Sequence, residues 1–252
     1  MFDIGILGGM GPKACSILFD FIVEHTIASK DQDHPSILIL DDTKIPDRSS
    51  FLINPNSNVP NPAPFLEKDL QQLKSNGVKV AGISCNTSYC FFDRISIPQG
   101  IQIIHMPNIT MSYCKAVGYK KVLILSTKGS KNSKVFESRA FNSNDIIYPQ
   151  AKELERIHNL IYKIKDTANL NINILSKQLS LLINKITKQI TDDVAIVLGC
   201  TELSILNYLK RIKASSPIID PLEILGLCLI KKSGYLYSLK DCKYNKDVID
   251  KL

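Results

Sequence analysis

Two cysteines at the ends of apolar segments, Cys85 and Cys200, are the residues of this chain with the clearest potential for chemistry. Cys85 follows the apolar segment 80–83, and Cys200 follows the apolar segment 194–198. This pattern is typical of a buried strand that ends on a nucleophilic side chain. A thiol, with a pKa near ~8.5, can take up or release a proton close to neutral pH. Two thiols that face one small molecule would therefore remove a proton from one side of a carbon and return one to the other side.

Hydroxyl and amide side chains accompany both cysteines. Asn86 and Thr87 follow Cys85, and Thr201 follows Cys200. The hydroxyls and nearby backbone N–H groups would hold an α-carboxylate as negative charge develops on it, and Asn86 would orient the ammonium or the carboxylate group. Helix N-termini next to the thiols would lower the pKa of each thiol. The two stretches therefore predict a two-base inversion at the α-carbon of an amino acid.

The other five cysteines are predicted to be structural thiols: Cys15, Cys114 and Cys228 on apolar helix faces, Cys90 in a helix after the first cysteine stretch, and Cys242 in the C-terminal tail. No CxxC motif or Cys/His ladder occurs, so no metal site is predicted. The odd number of cysteines and their irregular spacing favour reduced thiols, a cytoplasmic location and no disulfide between Cys85 and Cys200.

The charge balance and hydropathy of the chain exclude several classes of protein. Its 252 residues carry 31 Lys and Arg against 24 Asp and Glu, a net charge of +7, and no run of five basic residues occurs. Scattered lysines are typical of a solvated surface, so no nucleic-acid partner is predicted. The sequence has neither a stretch of ~18 apolar residues nor a basic leader, so we expect no membrane span and no signal peptide.

A strand, a glycine turn and a helix open the chain. The apolar segment 2–7 runs directly into Gly8-Gly9-Met10-Gly11-Pro12, and apolar residues then recur at helical spacing. The glycines let a ligand approach the backbone, and the helix N-terminus offers N–H groups to an anion. The spacing departs from GxGxxG, because Met10 or Ala14 stands at the third glycine position, so a dinucleotide-binding oxidoreductase is disfavoured.

The second half of the chain repeats this order of elements. It opens with a strand and the polar turn Ser126-Thr127-Lys128-Gly129-Ser130, and it closes on Cys200. Leu7 lies 78 positions before Cys85, and Leu125 lies 75 positions before Cys200, which indicates a duplication.

The predicted fold class is α/β, with two similar Rossmann-like domains whose parallel sheets are flanked by helices. Residues 1–104 together with 212–252 are predicted to form the first domain, and residues 105–211 the second. Ligands of such sheets bind at the carboxyl ends of the strands, so the active site is expected in the cleft between the domains, with Cys85 and Cys200 on opposite walls. Helices are predicted over 65–76, 107–117, 153–165, 175–190 and 222–232, with a further helix that holds Val135, Phe136 and Ala140.

Residues 41–61 are predicted to form a long polar loop at the end of a parallel strand. Loops at this position line ligand sites, and Arg48 within it could bind a carboxylate bidentately. Its neighbour Asp47 leaves open the alternative that Asp47 and Arg48 form an ion pair on the surface.

Seven stretches of the chain resemble the aspartate/glutamate racemase family, and aspartate racemases in particular. They occur in family order within residues 2–230: Gly8-Gly9-Met10-Gly11-Pro12, Asp31-Gln32-Asp33-His34, Ile45-Pro46-Asp47-Arg48, Cys85-Asn86-Thr87, Ser126-Thr127-Lys128-Gly129-Ser130, the segment 157–165, and Gly199-Cys200-Thr201-Glu202-Leu203. The paired Cys-Asn-Thr and Gly-Cys-Thr-Glu stretches are the specific part of this resemblance.

The resemblance implies a homodimeric racemase that interconverts L- and D-aspartate without pyridoxal phosphate (PLP), a metal or any other cofactor. It implies that Cys85 and Cys200 are the two acid/base residues, that Arg48 holds the side-chain carboxylate of a small acidic amino acid, and that Lys165 assists Arg48. The substrate-lining positions that it implies are Met10, Asn86, Thr87, Thr127 and Thr201.

Two positions depart from the family pattern. Ser88-Tyr89 stands where relatives usually carry a histidine two residues after the threonine of the first cysteine stretch, and Cys15 stands where many relatives carry threonine. The alternatives to an aspartate racemase are a broad-specificity or glutamate racemase, and a maleate isomerase, hydantoin racemase or malonate decarboxylase on the same scaffold. A protein that binds an acidic amino acid without catalysis is a further alternative.

Overall fold

Two separate four-stranded sheets organise the chain, and every strand pairing within them is parallel. The computed structural model describes residues 1–54, 58–137, 140–166, 168, 170–190, 193–209 and 211–252. The first sheet contains β1 (Ile4–Gly8), β2 (Ile37–Asp41), β3 (Val80–Ile83) and β4 (Gln102–Ile104), in the order β2-β1-β3-β4. The second contains β5 (Lys121–Leu125), β6 (Ile146–Ile147), β7 (Val194–Leu198) and β8 (Ile218–Ile219), in the order β6-β5-β7-β8.

Helices connect these strands and flank both sheets, which confirms the predicted α/β class. The α-helices are α1 (Pro12–His25), α2 (Arg48–Ile53), α3 (Ala63–Ser75), α4 (Met106–Val117), α5 (Lys128–Asn132), α6 (Ala151–Lys165), α7 (Ile172–Thr187), α8 (Thr201–Tyr208), α9 (Pro221–Lys232) and α10 (Lys246–Ile249). Short 3₁₀ helices cover Asp31–Asp33, Asn86–Arg94 and Ser143–Asp145. Within the described ranges, no helix is both long enough and apolar enough to span a membrane.

The two sheets share one topology, in which the first strand of each half lies between the second and the third. Leu7 pairs with Ile83 in the first sheet, and Leu125 pairs with Leu198 in the second. The turn after β1 therefore lies beside the end of β3, and the turn after β5 lies beside the end of β7. This shared order places a glycine or polar turn next to each predicted catalytic cysteine.

The central strands are buried because helices cover both faces of each sheet. All residues of β1, β3 and β7 are buried, and these strands are short, nearly continuous apolar segments. Strands that are covered on both faces lose the alternation of polar and apolar residues that half-exposed strands show. The strand ends are thereby fixed, and the residues that follow them project from rigid elements.

A short helix interrupts the segment 41–61 that the sequence predicted to be an irregular loop. Helix α2 begins at Arg48, and the Asp47 side chain caps it by accepting a hydrogen bond from the Ser50 N–H at 2.7 Å. Its six residues are too few to give a clear helical period, and the prolines around them favour a loop prediction. Residues 55–57 of the predicted loop lie outside the described ranges.

The helix predicted to contain Val135, Phe136 and Ala140 is wrong in extent. Helix α5 ends at Asn132, and Val135 and Phe136 are buried in the turns that follow. Lys134 adopts a φ of 58°, a left-handed conformation that no helix continues through. Val135 and Phe136 thus pack into the core although their backbone forms a turn and not a helix.

The C-terminal part of the chain contacts both sheets' halves of the molecule. Strand β8 pairs with β7 in the second sheet. Helix α9 then packs against α1, which follows the first strand of the first sheet, and against α4. The division into residues 1–104 with 212–252 and residues 105–211 stays a prediction.

Candidate active site

Cys85 and Cys200 occupy equivalent positions, each as the residue between a central strand and a helix. Cys85 follows β3 and precedes the 3₁₀ helix that begins at Asn86, whereas Cys200 follows β7 and precedes α8. Both side chains are 7 % exposed. The Thr201 hydroxyl donates a hydrogen bond of 3.1 Å to the Ser84 carbonyl, so the two cysteine stretches are tied directly to each other.

The Cys200 thiol is hydrogen-bonded to a carboxylate. Its Sγ donates to Oε2 of Glu202 at 2.7 Å. Burial, the negative charge of Glu202 and that of a Cys85 thiolate together raise the pKa of Cys200 well above its ordinary value, although Lys165 opposes this effect. The expectation that a helix N-terminus lowers the pKa of this thiol is therefore wrong, because burial and the carboxylate outweigh the helix.

Glu202 is a further site residue, which belongs to the second cysteine stretch but is not among the site residues predicted from the sequence. It is 3 % exposed, and its second oxygen, Oε1, lies 3.8 Å from Lys165 Nζ. An acidic residue in the first turn of a helix usually interacts favourably with the helix dipole. Because this common role explains the residue, the sequence does not reveal a second role. The signal that could have revealed it is its place two residues after the cysteine, next to Leu203 in a helix with no other charged residue.

Backbone carbonyls hold Arg48 in place. Its Nη1 donates to the carbonyls of Ile45 at 3.2 Å and Pro46 at 2.9 Å, and its Nη2 donates to the Met10 carbonyl at 2.7 Å. Among the described residues, Nε has no hydrogen-bond partner. Arg48 is 6 % exposed, so the alternative of a surface ion pair is wrong. Its orientation is fixed before any ligand arrives.

Cys85 is one of the residues whose charge acts on Arg48. Burial lowers the pKa of Arg48, but the negative charges of a Cys85 thiolate and of Asp47 outweigh burial and raise this pKa overall. The guanidinium therefore lies close enough to Cys85 for a charge on that sulfur to act on it.

Lys165 bridges two carboxylates across the cleft. Its Nζ lies 3.3 Å from Asp47 Oδ2 and 3.8 Å from Glu202 Oε1, and the Tyr162 hydroxyl donates to Asp47 Oδ1 at 2.9 Å. Burial lowers the pKa of Lys165, but Glu202, Cys200 and Asp47 raise it overall. For Asp47 the effects have the opposite sign. Burial raises its pKa, but the positive charge of Lys165 and the hydrogen bond from the Ser50 N–H lower it overall. Both side chains are thus held in their charged forms.

A cavity of about 670 Å³ opens at these residues. Its lining residues are Gly9, Met10, Gly11, Pro12, Lys13, Ala14, Ser16, Thr43, Ile45, Asp47, Arg48, Ile164, Lys165, Glu202 and Ile205. The predicted site residues Met10, Arg48 and Lys165 thus line this cavity. The two cysteines and the remaining predicted residues are not part of its lining.

The remaining predicted residues are buried around the two cysteines. Asn86 is fully buried, and neither polar atom of its side chain has a hydrogen-bond partner among the described residues. Thr87 is 5 % exposed. The Thr127 hydroxyl shares a 2.7 Å hydrogen bond with Ser49 and accepts one from the Ser130 N–H. Asn86 therefore has hydrogen-bonding capacity to offer a ligand, whereas Thr127 links the two halves.

Neither of the two departures from the family pattern, Tyr89 and Cys15, is part of the cavity lining. Tyr89 is 2 % exposed, and its hydroxyl accepts from the Ile83 N–H at 2.9 Å and donates to the Ile104 carbonyl at 2.9 Å. It therefore ties the ends of β3 and β4 together. Burial and the nearby charge of Asp41 raise the pKa of Cys15 to about 12, so Cys15 remains a neutral thiol.

Within the described part of the chain, no group of three or more His, Cys, Asp or Glu side chains is arranged to hold a metal ion. The charged side chains of the cavity lining instead comprise the three cations Lys13, Arg48 and Lys165 and the two carboxylates Asp47 and Glu202. The Cys200 thiol adjoins this lining at Glu202, and Cys85 adjoins it at Arg48. Such a set can bind a zwitterion with an additional carboxylate and can move protons.

Comparisons with known proteins show similarity to amino-acid racemases. The family model described as Asp/Glu/Hydantoin racemase matches residues 7–225. The broad specificity amino-acid racemase RacX of Bacillus subtilis is 22% identical over 239 residues, which are 93% of this chain and 97% of that protein. The structure of the Picrophilus torridus aspartate racemase is similar with a TM-score of 0.76 and 25% identity, over 94% of this chain and 96% of that one. A glutamate racemase from Campylobacter jejuni, at 14% identity and a TM-score of 0.60 over 98% of this chain and 95% of that chain, shares the fold.

Proposed function

Since the chain belongs to the Asp/Glu/hydantoin racemase family, we propose that it inverts the α-carbon of aspartate by proton transfer between Cys85 and Cys200. The observation that carries this proposal is the equivalent placement of two buried thiols at the ends of β3 and β7, tied to each other through Thr201 and Ser84. A base on one side and an acid on the other side of the α-carbon are what inversion requires.

The charges near each thiol suggest how the proton moves. The guanidinium of Arg48 stabilises negative charge on Cys85, whereas the raised pKa of Cys200 keeps that residue a neutral thiol. In one direction, the Cys85 thiolate takes the α-proton and the Cys200 thiol donates its proton to the opposite face. The reverse direction starts with Cys85 as a thiol: Glu202 accepts the Cys200 proton so that this sulfur can act as the base, and the Cys85 thiol donates its proton to the opposite face.

The substrate in this proposal is an acidic amino acid. Arg48 and Lys165 both line the cavity and are both held in their charged forms, and together they can bind a side-chain carboxylate. The similarity to an aspartate racemase structure at 25% identity supports aspartate. Asn86, Thr87 and the backbone N–H of Thr201, which opens α8, would stabilise the α-carboxylate as it takes up charge.

A broad-specificity racemase is the second candidate. The cavity of about 670 Å³ falls within the ~300–1,000 Å³ of typical small-molecule sites and leaves room for side chains longer than that of aspartate. Its walls also include Ile45, Ile164 and Ile205, which are apolar. The relative from Bacillus subtilis is described as a broad specificity racemase, which supports the same possibility.

Independence from PLP and metals, a homodimeric assembly and a cytoplasmic location are further parts of the proposal. Proton transfer by thiols needs no electron sink if hydrogen bonds stabilise the carbanion. Addition of a metal chelator and absence of PLP should therefore leave the activity unchanged, and sedimentation should give twice the chain mass.

Incubation of L-aspartate with the protein in D2O tests the reaction. We expect D-aspartate deuterated at the α-carbon, and we expect Cys85→Ser and Cys200→Ser each to abolish its formation. Racemisation that survives both substitutions would exclude the two-thiol mechanism. A panel of L-glutamate, L-alanine, L-lysine and L-leucine separates an aspartate racemase from a broad-specificity one.

A further inference from the structure

We infer that Cys242 is a nucleophilic thiolate, paired with the imidazolium of His25, that forms covalent adducts with soft electrophiles. The pair joins the C-terminal tail to the last residue of α1, and Cys242 lies beyond the range 7–225 that the family model matches. Helix α1 begins at the cavity and is 14 residues long, so the pair lies roughly 20 Å from the cavity along this helix. The sequence alone indicated a structural thiol here.

Both ring nitrogens of His25 face carbonyl oxygens. Nδ1 lies 2.9 Å from the Phe21 carbonyl, and Nε2 lies 3.1 Å from the Lys240 carbonyl. A carbonyl oxygen can only accept a hydrogen bond, so both contacts are hydrogen bonds when each nitrogen carries a hydrogen, and the ring that carries two hydrogens is the imidazolium. The Phe21 ring stacks on the imidazole with centroids 3.8 Å apart and an interplanar angle of 15°, which also favours a cation.

The sulfur of Cys242 lies 3.3 Å from Nε2 of His25. In the imidazolium form this nitrogen offers no lone pair to an S–H group, and the sulfur accepts its hydrogen bond. A thiolate accepts such a bond far better than a thiol, and a neighbouring imidazolium is a recognised cause of thiolate formation. The other charged residues adjacent along the chain are exposed and screened by solvent: Glu24, Lys240, Asp241 and Lys243.

Accessibility distinguishes Cys242 from most other cysteines of the chain. Cys90 and Cys242 are half-buried, whereas the other five are buried. Burial raises the pKa of Cys90 to about 12, so Cys90 stays a thiol at neutral pH and provides an internal control.

The adduct forms by nucleophilic substitution at carbon. The Cys242 sulfur attacks the carbon of an alkyl halide, an S–C bond forms, and the halide leaves with the electron pair of the broken carbon–halogen bond. No proton is released, because the proton already resides on His25.

Iodoacetamide alkylation, followed by peptide mass spectrometry at each cysteine, tests the inference on the full chain. An unpaired thiol is only about 1 % ionised at pH 6.5, whereas a paired one is largely ionised but somewhat less nucleophilic. We therefore expect Cys242 to react about tenfold faster than Cys90 at pH 6.5, with a rate midpoint between pH 5 and 7. His25→Asn should move this midpoint to about 8.5.

A midpoint near pH 8.5 in the unmodified protein, or a rate that His25→Asn leaves unchanged, would overturn the inference. If His25→Asn does not fold, the thiolate absorbance near 240 nm decides the question. We expect the unmodified protein at pH 6.5 to exceed Cys242→Ser by the absorbance of one thiolate, and equal absorbances would exclude the pair. Neither readout depends on racemase activity, so this inference and the proposed function fail independently.

Discussion

Sγ of Cys200 lies 2.7 Å from Oε2 of Glu202, and the thiol donates a hydrogen bond to that carboxylate. This contact makes the two catalytic candidates unequal, because the other thiol, Cys85, lies near the positive charge of Arg48. An apparently symmetric pair of cysteine stretches thus has different charged neighbours, since Cys200 lies near both Glu202 and Lys165. Four predictions test these and other contacts.

Glu202→Gln should slow the exchange of the α-proton catalysed by Cys200. The amide keeps the shape of the side chain but cannot accept the thiol proton as a base. We expect a loss in kcat of about 10²-fold, the scale of general-base catalysis. Measurement of α-deuterium exchange from each enantiomer of aspartate should show a larger loss in the direction that uses Cys200 as the base. Equal losses in both directions would contradict the role of Glu202, and the exposed Glu137→Gln serves as the control.

Asp47→Asn should weaken the binding of an acidic substrate. Asparagine still caps α2 at Ser50, but it lacks the charge that holds Lys165, which would then pair with Glu202 alone. A hydrogen bond to a charged group is worth about 1.5–3 kcal/mol, so we expect KM for aspartate to rise by about tenfold or more.

Steady-state kinetics with aspartate measure this change, and Glu153→Gln is the matched control. Glu153 pairs with Lys185 at 2.7 Å on α6 and α7 and does not line the cavity. An Asp47→Asn protein with an unchanged or lower KM would show that Asp47 does not position Lys165.

Tyr89→Phe should destabilise the fold without removing a proton-transfer group. Its hydroxyl bonds to backbone groups of Ile83 and Ile104, which the substitution would leave without this partner in a buried place. We expect the free energy of unfolding to fall by about 1–3 kcal/mol, measured by urea denaturation. Tyr235→Phe, which removes a hydroxyl bound to Asp3 in a less buried place, should cost less. A loss of activity with unchanged stability would instead give Tyr89 a functional role.

Asp69→Asn should stabilise the protein at neutral pH. Burial and the adjacent charge of Asp42 raise the pKa of Asp69 to about 6. The folded state therefore binds this proton more tightly than the unfolded state, and stability falls as the pH rises from about 4 through 6. A shift of about two pKa units corresponds to up to about 3 kcal/mol at pH 7, which the uncharged asparagine would avoid.

Thermal unfolding of both proteins at pH 4 and pH 7 measures this effect. We expect the gain in Tm from Asp69→Asn to be large at pH 7 and small at pH 4. A gain of equal size at both pH values would show that the titration of Asp69 is not its cause.

The period of apolar residues in the sequence was sufficient to predict the long helices, but it was insufficient to predict the short ones. Helices α6 and α7 were predicted within three residues at each end, because their apolar stripes extend over several turns. Helix α2 has only six residues, and its start is fixed by the Asp47 side chain rather than by a repeat. Val135 and Phe136 are apolar and pack into the core, but their backbone forms a turn, so their apolar side chains were not evidence of a helix.

The sequence by itself determined the two-sheet α/β fold and which side chains come after the central strands, because apolar segments and the turns behind them are local patterns. Only the tertiary structure decided which hydrogen-bond partners and charges those side chains contact. That Arg48 is bound by the Met10 carbonyl, that Lys165 lies between Asp47 and Glu202, and that His25 pairs with Cys242 all depend on residues distant in sequence. Hydrogen bonds and charges act over a few ångströms in space, so their partners are fixed only once the chain has folded.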